Sequence, residues 1–245
     1  MKTHPLMPKL KELRLGGMAE TLEERALQAR DKDLSPMEFL ALMLDDEIDR
    51  RERGRVARCL REGRIDETKT LARFDFSAAP RGPKSLFSDL ALCRWIESGE
   101  NILLAGPTGT GKTHLAMGLA HEAVRRGHKV QCQAAGALAG RLHAARADGT
   151  HGRLHSRLVT CDLLVLDDFG LTPLSPQGAE DLYGLICERY ERRSILLTSN
   201  RAPEEWGSVF GNALMASAAL DRLTHHSHLL LLEGESYRQR ERKTK

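Results

Sequence analysis

Aromatic side chains are scarce. Phe, Trp and Tyr make up only 4% of the 245 residues, which argues against a protein that reads single-stranded nucleic acid by stacking bases on rings. The five cysteines, Cys59, Cys93, Cys132, Cys161 and Cys187, are odd in number and scattered, with no CxxC pair. That argues against a disulfide framework and a thiolate zinc site, and leaves them as small, reduced core residues. No apolar run approaches the roughly 18 residues needed to cross a bilayer. The opening stretch MKTHPLMPKLKELRL, broken by Pro5, Pro8 and several lysines, lacks the apolar centre of a signal peptide. The expectation is a cytoplasmic protein with no membrane association. Internal repeats and low-complexity segments are also missing.

What is present is ordinary for a globular chain, with 41% apolar residues. The net charge of +3 decides little, but its distribution is uneven. Arginines stand at 50, 51, 53, 55, 58, 61 and 64 against Glu52 and Glu62, the tail RQRERKTK is basic, and between Arg125 and Arg157 only Asp148 opposes seven lysines and arginines. Local excess of this kind suits a polyanionic partner. With so little aromatic surface, the expected contacts are to the phosphates of duplex DNA.

The first 73 residues read as a helical domain. A short helix near Pro8 to Leu15 is expected to stop at Gly16-Gly17, and a second to cover Met18 to Arg30. The third begins at Ser35-Pro36-Met37-Glu38, an N-cap serine with proline at the first helical position and glutamate three residues after the cap. It runs to Gly54 and on towards Leu60. Met37, Leu40, Leu44 and Ile48 offer a packing face in its first half, and its second half is arginine-rich. Residues 74–85 (FDFSAAPRGPKS) read as a linker. From 86 to 245 strand-like runs at Asn101 to Ala105, Val130 to Gln133, Leu163 to Asp167, Ser194 to Ser199 and His228 to Leu232 alternate with helical segments. The fold class is therefore α/β, with a five-stranded, mainly parallel sheet.

The chemistry centres on GPTGTGKT: Gly106, Pro107, Thr108, Gly109, Thr110, Gly111, Lys112 and Thr113. A buried strand, NILLA, precedes it and a helix follows, the setting that turns this spacing into a phosphate-binding loop. Glycines let the backbone bend around phosphate and present its N–H groups, and the helix start adds its positive dipole end. Lys112 is expected to reach the β- and γ-phosphates of ATP, and Thr113 to coordinate Mg²⁺. In LLVLDDFG, Leu163 to Gly170, four apolar residues deliver two carboxylates to a strand end, where open α/β sheets bind ligands. Asp167 would hold the Mg²⁺ shell and Asp168 would act as general base on the attacking water. Asn200, ending SILLTSN, is placed to bond the γ-phosphate or that water. Arg222 and Arg238 are candidates to stabilise developing phosphate charge, one within the chain and one from a neighbouring subunit. His225, His226 and His228 match no standard ligand spacing and read as structural.

Taken together these elements resemble the IstB-type helper ATPases of insertion sequences, AAA+ relatives of the DnaC helicase loader. The resemblance rests on the register from Glu47 to Arg51, FDF at Phe74 to Phe76, GPTGTGKT, LLVLDDFG, Thr198 to Arg201, Trp206, LDRL at Leu220 to Leu223, and SYR at Ser236 to Arg238. It implies Walker A roles for Lys112 and Thr113 and Walker B roles for Asp167 and Asp168. It gives Asn200 the sensor I role, Arg222 that of an arginine finger and Arg238 that of sensor II. It also implies an ATP-bridged homo-oligomer on duplex DNA and a transposase as partner, with a DnaC-like loader of a replicative helicase as the alternative. A small-molecule kinase sharing the loop is disfavoured by the paired carboxylates and Asn200. Two features depart from the wider superfamily. Asp168 stands where glutamate is usual, which bears on the rate of hydrolysis rather than on binding. About 23 residues follow Arg222, too few for a C-terminal helical lid.

Overall fold

The computed structural model describes residues 4–76, 84–234 and 237. Its helices are α1 (Met7–Glu12), α2 (Gly16–Asp31), α3 (Pro36–Gly63), α4 (Lys84–Leu90), α5 (Arg94–Glu97), α6 (Lys112–Arg125), α7 (Ala135–Ala147), α8 (His151–Thr160), α9 (Pro176–Arg189) and α10 (Ala213–Thr224). The strands are β1 (Asn101–Ala105), β2 (Val130–Ala134), β3 (Leu163–Phe169), β4 (Ser194–Ser199) and β5 (Ser227–Leu231), and 3₁₀ turns lie at Leu71–Arg73 and Pro203–Val209. The chain divides into two compact units, Met1–Arg58 and Cys59–Lys245. Residues 59–73 thus group with the second unit, and residues 77–83 of the proline-rich stretch lie outside the described residues.

In the first unit the start of α3 forms as its sequence requires. Ser35 Oγ accepts the Glu38 N–H at 3.3 Å, and Glu38 Oε2 takes the Ser35 N–H at 2.8 Å, a reciprocal capping box. Gly16-Gly17 does not stop the first helix. Arg14, at φ 56, takes the left-handed turn after α1, and the two glycines open α2. The reason is close approach: a Cβ on Gly17 would stand 2.5 Å from the Asp46 carbonyl oxygen. That approach brings the Gly17 N–H within 2.6 Å of Glu47 Oε2, so a buried carboxylate meets the positive end of α2. Burial would raise the Glu47 pKa, but Arg51 Nε at 2.6 Å and the Gly17 N–H outweigh it and hold the group below its ordinary value. Arg25 grips Asp46 with two bonds of 2.8 and 2.7 Å, and this pairing lowers the Asp46 carboxyl to about 2.

The packed stripe of α3 is Phe39, Met43 and Glu47, against Met18 and Leu22. The stripe expected to pack is instead exposed, with Met37 at 73%, Leu40 and Leu44 at 46% and Ile48 at 62%. Two apolar stripes run along this helix, and the glycine-assisted contact with α2 selects the other one.

In the second unit all five strands are parallel, in the order β2-β3-β4-β1-β5. β1 and β4 are buried along their whole length, which explains the apolar runs Ile102 to Ala105 and Ile195 to Leu197 within them. Leu103, Leu164, Leu166 and Leu197 join Leu138, Leu142, Leu182 and Leu185 in one core, each fully buried leucine contributing about 1.5–3 kcal/mol. Inside it the fully buried Arg189 donates to the carbonyls of Leu158, Cys161 and Ser194 at 2.6, 2.9 and 2.6 Å, tying α8 and α9 to the start of β4. Among the described residues no helix is long and apolar enough to cross a membrane.

Because the strands run parallel, β1, β3 and β4 end side by side at one edge of the sheet. The pairing of β3 with β4 slips there: Leu166 faces Leu197 while Phe169 faces Ser199. Three steps on one strand thus match two on the other. This bulge contains Asp167 and Asp168, and Asp168 takes the left-handed backbone at φ 55. A bulge re-aims side chains that a regular strand would send to opposite faces.

Candidate nucleotide-binding site

The loop between β1 and α6 bends at Gly106, Gly109 and Gly111, with φ of 147, 90 and 88°. No side chain could replace two of them. A Cβ on Gly106 would meet the Leu232 carbonyl oxygen at 2.1 Å, and one on Gly111 would meet Phe74 Cε2 at 2.4 Å. α6 starts without a side-chain cap, so its first N–H groups and dipole face the loop's hollow, the arrangement that binds phosphate. Lys112 is nearly buried, and its ammonium donates to the carbonyls of Gly106 and Pro107, both at 2.7 Å. Burial lowers the Lys112 pKa, against the opposing pull of Asp168 and Asp167.

Thr113 Oγ1 donates to Asp167 Oδ1 at 2.9 Å. The buried Thr198 on β4 donates to the same oxygen at 2.5 Å and accepts the Asp168 N–H at 3.0 Å. One hydroxyl therefore fixes both acidic residues of the bulge. Its neighbour Ser199 accepts from the Trp206 indole at 3.0 Å and donates to the Phe169 carbonyl at 2.8 Å, which anchors the bulge from the core side.

A cavity of about 560 Å³ opens over this edge, lined by Thr108 to Thr113 together with Asp167, Asp168 and Asn200. The structure thus brings together the loop, the acidic pair and the strand-end amide expected from the sequence. It does not bring Arg222 there. That guanidinium donates to the Ala218 carbonyl at 2.8 Å and lies 5.9 Å from the ring centres of Tyr183 and Tyr190. Arg238 lies outside the described residues, while Tyr237 beside it lines the cavity and donates its backbone N–H to the Gly109 carbonyl at 3.0 Å.

Sequence reasoning missed one wall. Lys69, Arg73, Phe74 and Asp75 also line the cavity. Phe74 packs edge-on against Phe76 and His114 at 4.8 and 5.4 Å, and His114 Nε2 lies 2.9 Å from the Thr70 carbonyl oxygen. The signal was the Phe-Asp-Phe triplet, noted for its pattern but given no task.

A parallel sheet in this order, a phosphate-type loop after β1 and paired carboxylates on β3, two places along the sheet, define a P-loop fold of the AAA+ kind. Solved structures agree on the fold. AMPPCP-bound DnaA from Aquifex aeolicus matches with a TM-score of 0.59 at 24% identity, over 69% of this chain and 51% of that one. The DnaC helicase loader matches with a TM-score of 0.55 at 20% identity, over 68% and 98%. The chain belongs to the IstB-like ATP binding protein family, whose model matches residues 8–245. A protein of Mycobacterium tuberculosis named as an ATP-binding protein in an insertion sequence is 40% identical over 95% of this chain and 93% of its own length. The IS21 ATP-binding protein of Pseudomonas aeruginosa is 37% identical over 98% and 91%.

Proposed function

We propose that this chain is an Mg²⁺-dependent ATPase that assembles as a homo-oligomer on duplex DNA in the cytoplasm and recruits or activates the transposase of its insertion sequence. The observation that carries the ATPase reading is the convergence of Lys112, Thr113, Asp167, Asp168 and Asn200 on one cavity. Phosphate oxygens would take over the lysine bonds now made to the loop's own carbonyls. Thr113 and Asp167 are adjacent oxygen donors of the kind a hard cation takes, and would hold Mg²⁺, which when bound neutralises charge on the β- and γ-phosphates. Asp168, turned by the bulge, accepts the proton of the attacking water as its oxygen bonds to the γ-phosphorus and ADP leaves. Asn200 orients that water or the γ-phosphate. Arg222, away from its own chain's cavity, is assigned to a neighbouring subunit's nucleotide, and Arg238 to the nucleotide of its own chain.

The DNA reading is supported by exposed arginines in each basic stretch. Arg51, Arg53, Arg58, Arg61 and Arg64 are exposed along and just beyond α3, and Arg125, Arg126, Lys129, Arg153 and Arg157 along the second stretch. Arg146 is committed to Asp181 by two bonds and adds less. The family match over residues 8–245 favours the transposition helper over a helicase loader, with which only fold is shared.

The test is a titration of duplex and single-stranded DNA, with and without ATP, at several salt concentrations. Duplex binding should strengthen with ATP, as joined subunits multiply contacts, and should fall steeply with salt as counterion release is lost. Tight, salt-insensitive binding to single strands, or no DNA binding with ATP present, contradicts the reading.

A further inference from the structure

We propose that Glu191, His225 and His226 form a site for a divalent transition-metal ion of borderline softness, with Zn²⁺ its natural occupant. The three residues sit just before β4 and β5, at the sheet edge opposite the nucleotide cavity. One donor atom from each lies within 4.8 Å of the other two, and among the described residues they are the group of such donors close enough to share an ion.

Two observations point to a ligand set rather than a set of ion pairs. Glu191 Oε1 stands 3.7 Å from His225 Nδ1 and 3.8 Å from His226 Nε2. Those separations are long for hydrogen bonds, yet close to the ~3.4 Å edge of a tetrahedron whose metal–ligand bonds are about 2.0–2.1 Å. Second, Glu191 and His226 both adopt left-handed backbone, at φ 56 and 52. Such conformations cost a non-glycine residue roughly 1–2 kcal/mol each, and here two of three donors adopt them in separate turns. Tyr190 Oη lies 2.7 Å from His225 Nδ1, so an ion at that nitrogen takes the place of this hydrogen bond.

The donor chemistry selects the ion. Two imidazoles and one carboxylate suit Zn²⁺ and its transition-metal neighbours, whereas Mg²⁺ and Ca²⁺ favour all-oxygen shells. All three residues are exposed, so water can complete the fourth position and an ion can enter without opening the fold. Neither His225-His226 nor Glu191 carries a recognisable ligand spacing. The site exists only because the turns before β4 and β5, which β1 separates in the sheet, meet.

The experiment uses the full chain, stripped with a chelator and titrated with Zn²⁺ by calorimetry in millimolar Mg²⁺, which occupies hard-oxygen sites. Melting temperature is followed in parallel, and Co²⁺ absorption reports the coordination geometry. Wild-type protein should take up one zinc ion at micromolar concentration and melt higher with it. Glu191→Gln and His226→Ala should each weaken uptake by roughly tenfold or more, and His128→Ala should not. The substitutions at the exposed Glu191 and His226 should leave the metal-free melting temperature unchanged, which separates loss of the site from loss of fold. No zinc uptake by wild type, or equal uptake by wild type and by both site variants, overturns the proposal.

Discussion

Thr198 and Asp167 are joined across β4 and β3 by a 2.5 Å hydrogen bond from a hydroxyl that is itself buried. The same hydroxyl accepts the Asp168 N–H, so the two acidic residues with separate tasks share one anchor. Thr198→Val keeps the shape and removes the anchor shared by the Asp167 carboxylate and the Asp168 N–H. The expected outcome is a fall in ATP turnover of roughly 10–100-fold with nucleotide affinity little changed, and recovery in Thr198→Ser. Turnover and nucleotide affinity measured for both variants check it. A valine variant that turns over like wild type removes Thr198 from the account.

Arg222 is expected to act across a subunit boundary, where an arginine supplied in trans is worth roughly 10³ or more in rate. Mixing Arg222→Ala with Lys112→Ala protein, each inactive alone, creates interfaces at which an intact loop meets an intact arginine. ATPase activity should partly return in the mixture. No recovery at any ratio, with assembly confirmed by sedimentation, counts against the role.

Two glycines should respond oppositely to the same change. Gly17 touches the backbone of Asp46 and Glu47, whereas Gly54, in the middle of α3, has open space where a Cβ would stand. Gly17→Ala should destabilise its unit by about 1–3 kcal/mol through overpacking. Gly54→Ala should stabilise it by about 0.5–1 kcal/mol, since alanine loses less backbone entropy in a helix. Chemical denaturation of both variants gives the comparison, and a neutral Gly17→Ala would mean that the two helices separate at little cost.

The nucleotide loop was legible because its chemistry demands residue types that little else demands: glycines where only φ above zero fits, then lysine and a hydroxyl at the start of a helix. The strands were legible because parallel strands buried on both faces need unbroken apolar runs. Contacts between segments distant in sequence were not. Periodicity could not say which of the two stripes on α3 would be buried. It read Gly16-Gly17 as a stop when the glycines serve a crossing of helices. The bulge at Asp167-Asp168, the Thr198 anchor and the Phe74 wall each depend on a neighbour at least 30 positions away, and Glu191 joins the histidines the same way. The fully buried Arg189 was invisible for a related reason, since its partners are carbonyl oxygens that any sequence supplies.

The central claim is that this cavity binds ATP through Lys112 and hydrolyses it through Asp168. The direct measurement is nucleotide affinity and turnover, side by side, for wild type, Lys112→Ala and Asp168→Asn. Lys112→Ala should lose binding, because the charge that neutralises the phosphates is gone. Asp168→Asn should bind nearly as wild type and hydrolyse roughly 10²-fold or more slowly, because the shape stays and the base does not. Wild-type turnover in Asp168→Asn, or undiminished ATP binding in Lys112→Ala, would contradict the account.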